Sequence, residues 1–220
     1  MRKIITSIAT SADGYIARRD GSVDWLNLPQ PAGDYGMAGF YRSIDTILWG
    51  RKTYELALAF QKQGIKEAEF DPKVKNYVFS HQALKPATSA VELVTEPIPA
   101  FVKRLRARRG KHIWMMGGAE LIASFLDQSA IDEFIIHVIP IFIGEGIPLI
   151  APRHRSVELR LLSCRRFSDG VARLHYAVVK RRAGKGKGER GRGEEEKRRR
   201  DEREREEREP RSRDLESLKT

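Results

Sequence analysis

The stretch HIWMMGGAELIASFL, residues 112–126, contains the pattern on which the fold prediction depends. Residues 112–116 are short, bulky and mostly apolar and end at two glycines, which is typical of a buried strand. After Gly117 and Gly118 the apolar residues recur at helical spacing, which predicts a tight turn from a strand into a helix. Glycines let the backbone approach a ligand, and a helix N-terminus attracts anions, so this turn is a candidate phosphate site. The alternative is a glycine pair that only makes a tight turn.

Outside this stretch, short apolar runs alternate with helical patterns. Strands are predicted at 2–9, 46–49, 77–79, 91–94, 112–116 and 133–139, and helices at 34–43, 51–60, 97–109 and 119–126. Two long alternating segments, 157–167 and 171–180, are joined by Ser168-Asp169-Gly170, a spacing typical of a hairpin. The pattern predicts an α/β fold with a mixed, mainly parallel sheet, flanking helices and a C-terminal antiparallel hairpin.

Composition limits the class of protein. The chain has 220 residues, 40% of them hydrophobic, which is enough for one domain with a sizeable core. Its one cysteine, Cys164, excludes an internal disulfide and zinc sites built on cysteines, and it fits a reducing cytoplasm. We expect Cys164 to be packed or half-exposed in its alternating strand. No stretch approaches the ~18 apolar residues of a membrane helix, so no membrane partner is expected.

The charge is distributed unevenly. Residues 183–220 contain 14 Lys and Arg and 12 Asp and Glu, so most of the net charge of +11 belongs to the body before them. This body, residues 1–182, is therefore expected to attract anionic ligands. The segment 183–220 has few large apolar residues and is predicted to be a charged low-complexity tail, disordered or a solvated helix, outside the folded domain.

Four segments in order resemble one known family. They are Asp13-Gly14-Tyr15-Ile16-Ala17, Gly50-Arg51-Lys52-Thr53-Tyr54-Glu55, Gly117-Gly118-Ala119-Glu120-Leu121, and PIFIGEGIPL at 140–149. Together, over residues 2–181, they resemble the dihydrofolate reductase-like superfamily. The closer similarity is to the reductase domain of the bacterial riboflavin-biosynthesis deaminase-reductase, the RibD C-terminal domain, and its stand-alone relatives. The resemblance implies a three-layer fold, NADPH as cofactor, a small-molecule substrate and a homodimer.

The resemblance also implies which residues bind the cofactor. Gly50, Arg51, Lys52 and Thr53 match the motif that contacts the cofactor's phosphates, and Arg51 can hold a phosphate through its planar fork. Ser80 occupies the place where relatives contact the adenosine-side phosphate, with help from His81 or Lys85, although a surface turn is the alternative. The second phosphate-type turn comprises Gly117, Gly118, Ala119, Glu120 and Leu121. Two helix N-termini and a basic residue favour NADPH over NADH.

On the substrate side, the resemblance implies four further positions. Asp13 belongs to the segment that borders the nicotinamide and the substrate in relatives, where a carboxylate could orient a ring nitrogen; Asp-Gly is also an ordinary turn. Asp34 begins the helix that in folate reductases carries the pterin-binding acid, but it could also only cap that helix. Gly144 and Gly146 form a loop near the substrate end and subunit contact, or they only shape it.

The implied reaction is hydride transfer from the nicotinamide to a pterin-like or ribosylaminopyrimidine-like ring. In such a reaction the cofactor carries out the difficult chemical step, and the protein orients the substrate. Arg153 and Arg155 could attract a substrate phosphate or be plain surface charge. His112, His137, His154 and His175 lack ligand spacing, so no metal is expected. No deaminase pattern of zinc-binding His and Cys precedes the body. The alternative function is a nucleic-acid or protein-binding module, with a cofactor-binding fold that lacks turnover. It would use the tail and the basic helix at 97–109, whose Lys and Arg side chains we expect to face water. Nucleic acid is disfavoured because the tail charges nearly cancel and no aromatic residues interleave with them.

Overall fold

The computed structural model of the protein describes residues 1–26, 34–64, 70–82 and 89–180. Within these residues the chain forms ten strands, four α-helices and a short 3-10 helix (Asp24–Leu26). The strands and α-helices follow in the order β1 (Ile4–Ser11), β2 (Tyr15–Ala17), α1 (Met37–Arg42), β3 (Ile44–Gly50), α2 (Arg51–Lys62), β4 (Lys75–Phe79), β5 (Val91–Val94), α3 (Ile98–Ala107), β6 (His112–Gly117), α4 (Ala119–Asp127), β7 (Glu133–Ile139), β8 (Ile147–Pro148), β9 (Leu159–Arg166) and β10 (Ala172–Val178). The tail predicted at 183–220 and Lys85 lie outside the described residues. None of the described helices is long and apolar enough to span a bilayer.

Eight strands form one sheet in the order β5-β4-β3-β6-β1-β7-β10-β9. The first six are parallel, whereas β10 pairs antiparallel with both β7 and β9. The predicted mixed, mainly parallel sheet with a C-terminal hairpin is therefore confirmed. A second, two-stranded sheet of β2 and β8 was not predicted, since β8 is only two residues long.

The sheet has a hydrophobic core on each face. On β1, the neighbours Ile4 and Ile5 point to opposite faces and belong to different cores. The Ile4 core contains the apolar residues of α3 and α4, such as Phe101 and Phe125, which are fully buried. The Ile5 core contains Phe40 of α1 and residues of α2. Helices thus cover both faces, which gives the three-layer architecture.

The connections after β3 and β6 leave these neighbouring strands in opposite directions. From β3 the chain passes through α2 to β4, and from β6 it passes through α4 to β7 on the other side of β1. At such a reversal in an α/β sheet, a crevice opens beyond the carboxyl ends of the two strands, and ligands bind there in many proteins of this architecture. The fold therefore makes the turns at Gly50 and Gly117 candidate ligand-binding sites.

Three local predictions require correction. The helix expected at 34–43 begins only at Met37, because Gly36 adopts a left-handed conformation (φ 86°). Cys164 is exposed, since β9 is the edge strand and all eight of its residues are exposed. On α3, Arg106 does not face water freely: its Nη2 donates to Asp132 Oδ2 at 2.7 Å and its side chain is 18% exposed.

Candidate functional site

The two glycine turns predicted as phosphate sites lie side by side. Parallel pairing of β3 and β6 sets Trp49 opposite Gly117. A Cβ atom added at Gly50 would lie 3.2 Å from the carbonyl oxygen of Gly117, and one at Gly118 would lie 3.1 Å from Thr53 Oγ1. Gly117 has a φ of 102°, a left-handed conformation that glycine adopts easily. Glycine at these positions therefore allows the backbones of the two turns to approach each other at this edge.

The turn after β3 carries the basic residues of the predicted site. Arg51 begins α2, and its Nη1 donates to Glu55 Oε1 at 2.8 Å, one helical turn later. The Arg51 side chain is one-third exposed, so this surface ion pair holds it only weakly. Lys52 is exposed and Thr53 is half-buried. All three lie in the first turn of α2, where backbone N–H groups have no helical partner.

Ser80 lies next to this turn, but its hydroxyl is hydrogen-bonded to the nearby backbone of Gln82. It follows Phe79, which pairs with Gly50 across β3 and β4. Ser80 Oγ donates to the carbonyl oxygen of Gln82 at 2.8 Å and accepts from the Gln82 N–H at 3.1 Å. These contacts are those of a surface turn, and a phosphate role for Ser80 stays a prediction.

On α4, none of the predicted residues Ala119, Glu120 and Leu121 has a cationic side chain. Ala119 and Leu121 have buried side chains, and Leu121 belongs to the Ile4 core. The exposed Glu120 carboxylate accepts from Arg153 Nη2 at 2.9 Å. The first turn of α4 can therefore offer an anion its N–H groups but no cationic side chain.

The structure brings Asp13 and Gly144 together. The Asp13 carboxylate accepts from Ser11 Oγ at 2.5 Å and from the N–H groups of Ile143 and Gly144 at 3.2 and 2.8 Å. The hydrogen bond from Ser11 and those from the two N–H groups lower the pKa of Asp13. A Cβ at Gly146 would lie 2.2 Å from the carbonyl oxygen of Ala17, so this glycine permits the close packing of the loop on β2. Asp13 thus anchors the loop that contains both predicted glycines.

Asp34 uses both carboxylate oxygens on the backbone at the start of α1. Oδ1 accepts from the Gly36 N–H at 2.9 Å and Oδ2 from the Ala38 N–H at 2.6 Å. These hydrogen bonds, the one from Ala38 first, lower the pKa of the exposed Asp34. The geometry is that of a helix cap. A pterin-binding role for Asp34 stays a prediction that no contact supports.

A cavity of about 330 Å³ lies on the face of the sheet that α1 covers. Met116, the residue before Gly117, lines it, so the cavity comes within one residue of the second glycine turn along β6. Its other apolar lining residues include Leu26, Met37, Trp114, Ile139 and Val171. The indole Nε1 of Trp114 donates to the carbonyl oxygen of Ser7 at 2.9 Å, which fixes the ring beside β1.

Four polar residues also line the cavity: Ser7, Tyr35, His137 and Asp169. The Tyr35 hydroxyl donates to Asp169 Oδ2 at 2.5 Å, and burial together with this carboxylate raises the pKa of Tyr35 to about 12. His137 is 6% exposed, and burial lowers its pKa. At neutral pH the phenol is therefore protonated and the imidazole is neutral.

Sequence reasoning missed these lining residues. His137 was considered only as a metal ligand, and Asp169 only as part of a hairpin turn. One signal was present for His137, because residues 135, 137 and 139 share a face of β7 and the other two are apolar and buried. For Tyr35, Trp114 and Asp169 no local pattern indicated a common site.

Four of the remaining basic residues considered in the sequence form ion pairs with carboxylates. Arg155 Nε donates to Asp127 Oδ1 at 2.7 Å, and Arg153 contacts Asp127 as well as Glu120. On the basic helix α3, Arg104 pairs with Glu96 and Arg106 with Asp132. Within the described part of the chain, no group of three His, Cys, Asp or Glu side chains is arranged to hold a metal ion.

The fold defines the class of protein: an α/β domain with the dihydrofolate reductase-like arrangement of sheet and helices. The chain belongs to the RibD C-terminal domain family, whose model matches residues 2–173. It is 40% identical over 179 residues to the uncharacterized protein YwjB of Bacillus subtilis (strain 168), covering 80% of this chain and 97% of that one. The uncharacterized protein YyaP of the same organism is 34% identical over 181 residues, covering 80% and 94% of the two chains.

Solved structures agree with this family. A candidate riboflavin biosynthesis protein of Shewanella sp. PV-4 superposes with a TM-score of 0.71 at 26% identity, covering 81% of this chain and 99% of that one. The diaminohydroxyphosphoribosylaminopyrimidine deaminase/5-amino-6-(5-phosphoribosylamino)uracil reductase of Thermotoga maritima superposes with a TM-score of 0.59 at 16% identity, covering 81% of this chain and 57% of that one. The second likeness concerns the fold alone.

Proposed function

We propose that this protein is an NADPH-dependent reductase that acts on a small heterocyclic substrate of the pterin or ribosylaminopyrimidine type. One observation carries the proposal: two strand-to-helix turns meet at the reversal point of the sheet, and a mainly apolar cavity reaches Met116, the residue before the second turn. Family membership supports the same function, because the chain belongs to the RibD C-terminal domain family and the Shewanella relative, at 26% identity, is described as a candidate riboflavin biosynthesis protein.

The residues present fit a dinucleotide. A Cβ at Gly50 or Gly118 would crowd the neighbouring turn, and the two glycines leave this space free beside the first backbone N–H groups of α2 and α4. Arg51 and Lys52 would add positive charge for the pyrophosphate and for the 2′-phosphate that distinguishes NADPH from NADH. Exchange of the Glu55 carboxylate for a phosphate at Arg51 requires only a side-chain rotation, since the ion pair is a surface one.

The nicotinamide would extend from the Gly117 turn past Met116 into the cavity, where it would supply the hydride to a ring C=N or C=O of the substrate. The apolar lining would exclude water from this step. Asp13 would act as a positioning residue, since its carboxylate holds the loop at Ile143 and Gly144. Direct substrate contact by Asp13, and a pterin-type role for Asp34, stay predictions.

We include a homodimer in the proposal. Leu159, Leu161 and Leu162 on the edge strand β9 are 40%, 52% and 40% exposed. Edge strands with exposed apolar residues are liable to pair with another chain, and a second copy would cover them. A cytoplasmic location is proposed on the ground that the one cysteine forms no internal disulfide.

The test is a thermal-shift titration of the full chain with NADPH and with NADH, at low and high salt. A ligand at 100 times its Kd stabilises the native state by about 2.7 kcal/mol, which raises Tm by roughly 5–10 °C in a chain of this size. We expect NADPH to raise Tm more than NADH does. High salt should reduce the Tm shift of NADPH more than that of NADH, because NADPH makes more phosphate contacts that salt screens.

Two variants on one helix sharpen this test. Arg51→Ala should remove most of the NADPH shift, whereas Lys62→Ala, at the far end of α2, should keep it. The absence of a shift with either nucleotide in the wild-type chain would refute the cofactor assignment. An equal loss in both variants would mean that general charge, and not the turn at Gly50, is responsible.

A further inference from the structure

Two arginines face each other on the hairpin of β9 and β10, outside the cavity. Antiparallel pairing sets Arg165 of β9 directly opposite Arg173 of β10, and on its other side Arg173 lies opposite His137 of β7. Directly opposite residues of paired strands share one face of the sheet, so both guanidinium groups lie on the same face as His137. Neither arginine lines the cavity.

The two guanidinium groups have no counter-charge. Within the described part of the chain, no ion pair or hydrogen bond joins Arg165 or Arg173 to another group, and the Nε atom of Arg173 is buried without a partner. The next basic side chain on this face of β10, His175, is already bound to Glu133, with Nε2 3.0 Å from Oε2. Like charges directly opposite on paired strands repel each other, and a buried N–H without an acceptor is unfavourable. A ligand that supplies negative charge and oxygen atoms removes both costs.

Packing holds both arginine side chains in place. The guanidinium of Arg165 lies over the ring of Phe167, with Cζ 4.8 Å from the ring centroid, and this ring packs edge-on against Tyr35 at 5.0 Å. The guanidinium of Arg173 reaches the start of α1, where a Cβ added at Gly36 would lie 2.9 Å from Nη1. The pair is therefore largely ordered before a ligand arrives, which reduces the entropy that binding costs.

We propose that Arg165 and Arg173 form a binding site for a phosphate group with two negative charges, either free phosphate or the terminal group of a phosphate monoester. The planar fork of each guanidinium matches two oxygens of a phosphate, and two positive charges favour a dianion. The Cβ atoms of directly opposite residues lie about 5 Å apart, so one phosphate can contact both forks. The site goes beyond the proposed reductase function, because neither arginine lines the cavity or belongs to the glycine turns.

The test is a thermal-shift titration of the full chain with phosphate compounds at constant ionic strength, without nucleotide. Every chain carries Arg51→Ala, so that the cationic turn after β3 does not contribute to the shift. Arg165→Gln and Arg173→Gln each remove one fork. Arg166→Gln is the matched control, because Arg166 is the next residue of the exposed strand β9 but lies opposite Ala172, on the other face of the sheet.

The probes separate charge from source. Above their second pKa, inorganic phosphate and glycerol 3-phosphate carry two charges, whereas dimethyl phosphate carries one. We expect both dianions to raise Tm and dimethyl phosphate to leave it unchanged. Whichever dianion binds more tightly identifies the ligand as free phosphate or as an ester. Arg165→Gln and Arg173→Gln should weaken the binding of both dianions about tenfold or more, and Arg166→Gln should preserve it.

Three results would overturn the inference: no shift with either dianion, an equal shift with dimethyl phosphate, or an equal loss of affinity in Arg166→Gln. If Arg173→Gln does not fold, Arg165→Gln decides the test alone, because the Arg165 side chain is exposed. A failed NADPH shift would refute the proposed function and leave these results unaffected, since no nucleotide is present in the titration.

Discussion

Replacing Gly50 by alanine tests whether the two glycine turns touch as the structure describes. Gly50 has φ −77° and ψ 150°, a conformation that alanine adopts without backbone strain. The new methyl group would lie 3.2 Å from the Gly117 carbonyl oxygen and 3.3 Å from the Gly118 nitrogen, closer than carbon atoms normally approach these backbone atoms. The turns must therefore separate by a few tenths of an ångström.

The size of the effect follows from two opposing contributions. Alanine lowers the entropy of the unfolded chain and so stabilises the fold by about 0.4–1 kcal/mol, whereas overpacking costs about 1–3 kcal/mol. We expect a net loss of roughly 1–2 kcal/mol in the free energy of unfolding, or a Tm lower by roughly 3–6 °C. Urea unfolding should show a lower midpoint with an unchanged m value.

A second glycine provides a control of opposite sign. Gly39 lies inside α1, and the nearest atom to an added Cβ is the flexible end of Arg42 at 4.0 Å. Gly39→Ala should therefore stabilise the protein by about 0.5–1 kcal/mol through helix propensity alone. If Gly50→Ala were as stable as Gly39→Ala and kept the full NADPH shift, the close approach of the turns and their role in binding would both be refuted.

Two further predictions concern the cavity and the edge strand. Burial lowers the pKa of His137 in the folded chain, so the unfolded chain, where this pKa is about 6.5, binds the proton more tightly. The free energy of unfolding therefore falls as the pH falls below about 6.5. Urea unfolding at pH 7 and pH 5 should show a smaller loss of stability in His137→Gln than in the wild type, and equal losses would contradict the burial of a neutral imidazole. Leu161→Lys should convert the proposed homodimer to a monomer in sedimentation experiments and keep the native circular-dichroism spectrum, because the side chain is 52% exposed in the single chain; a persistent dimer would place the subunit contact elsewhere.

The elements that sequence reasoning predicted well are those with a local signal. The run that ends at Gly117-Gly118 indicated β6, the turn and α4 because burial of a short apolar run, a glycine stop and helical spacing all occur within fifteen residues. Ser168-Asp169-Gly170 indicated the hairpin for the same reason. By contrast, Arg106 and Cys164 were predicted wrongly, because their exposure depends on Asp132 and on the edge position of β9.

The sequence by itself determined the order of strands and helices, the glycine turns and the family, since these depend on residues close together in the chain. Only the tertiary structure decided that the two turns meet and that a cavity comes within one residue of the second turn. The contacts that build the cavity join residues far apart: Tyr35 and Asp169 are separated by 134 positions, and Trp114 and Ser7 by 107. Strand order and register bring such residues together, and no periodicity within one segment encodes them.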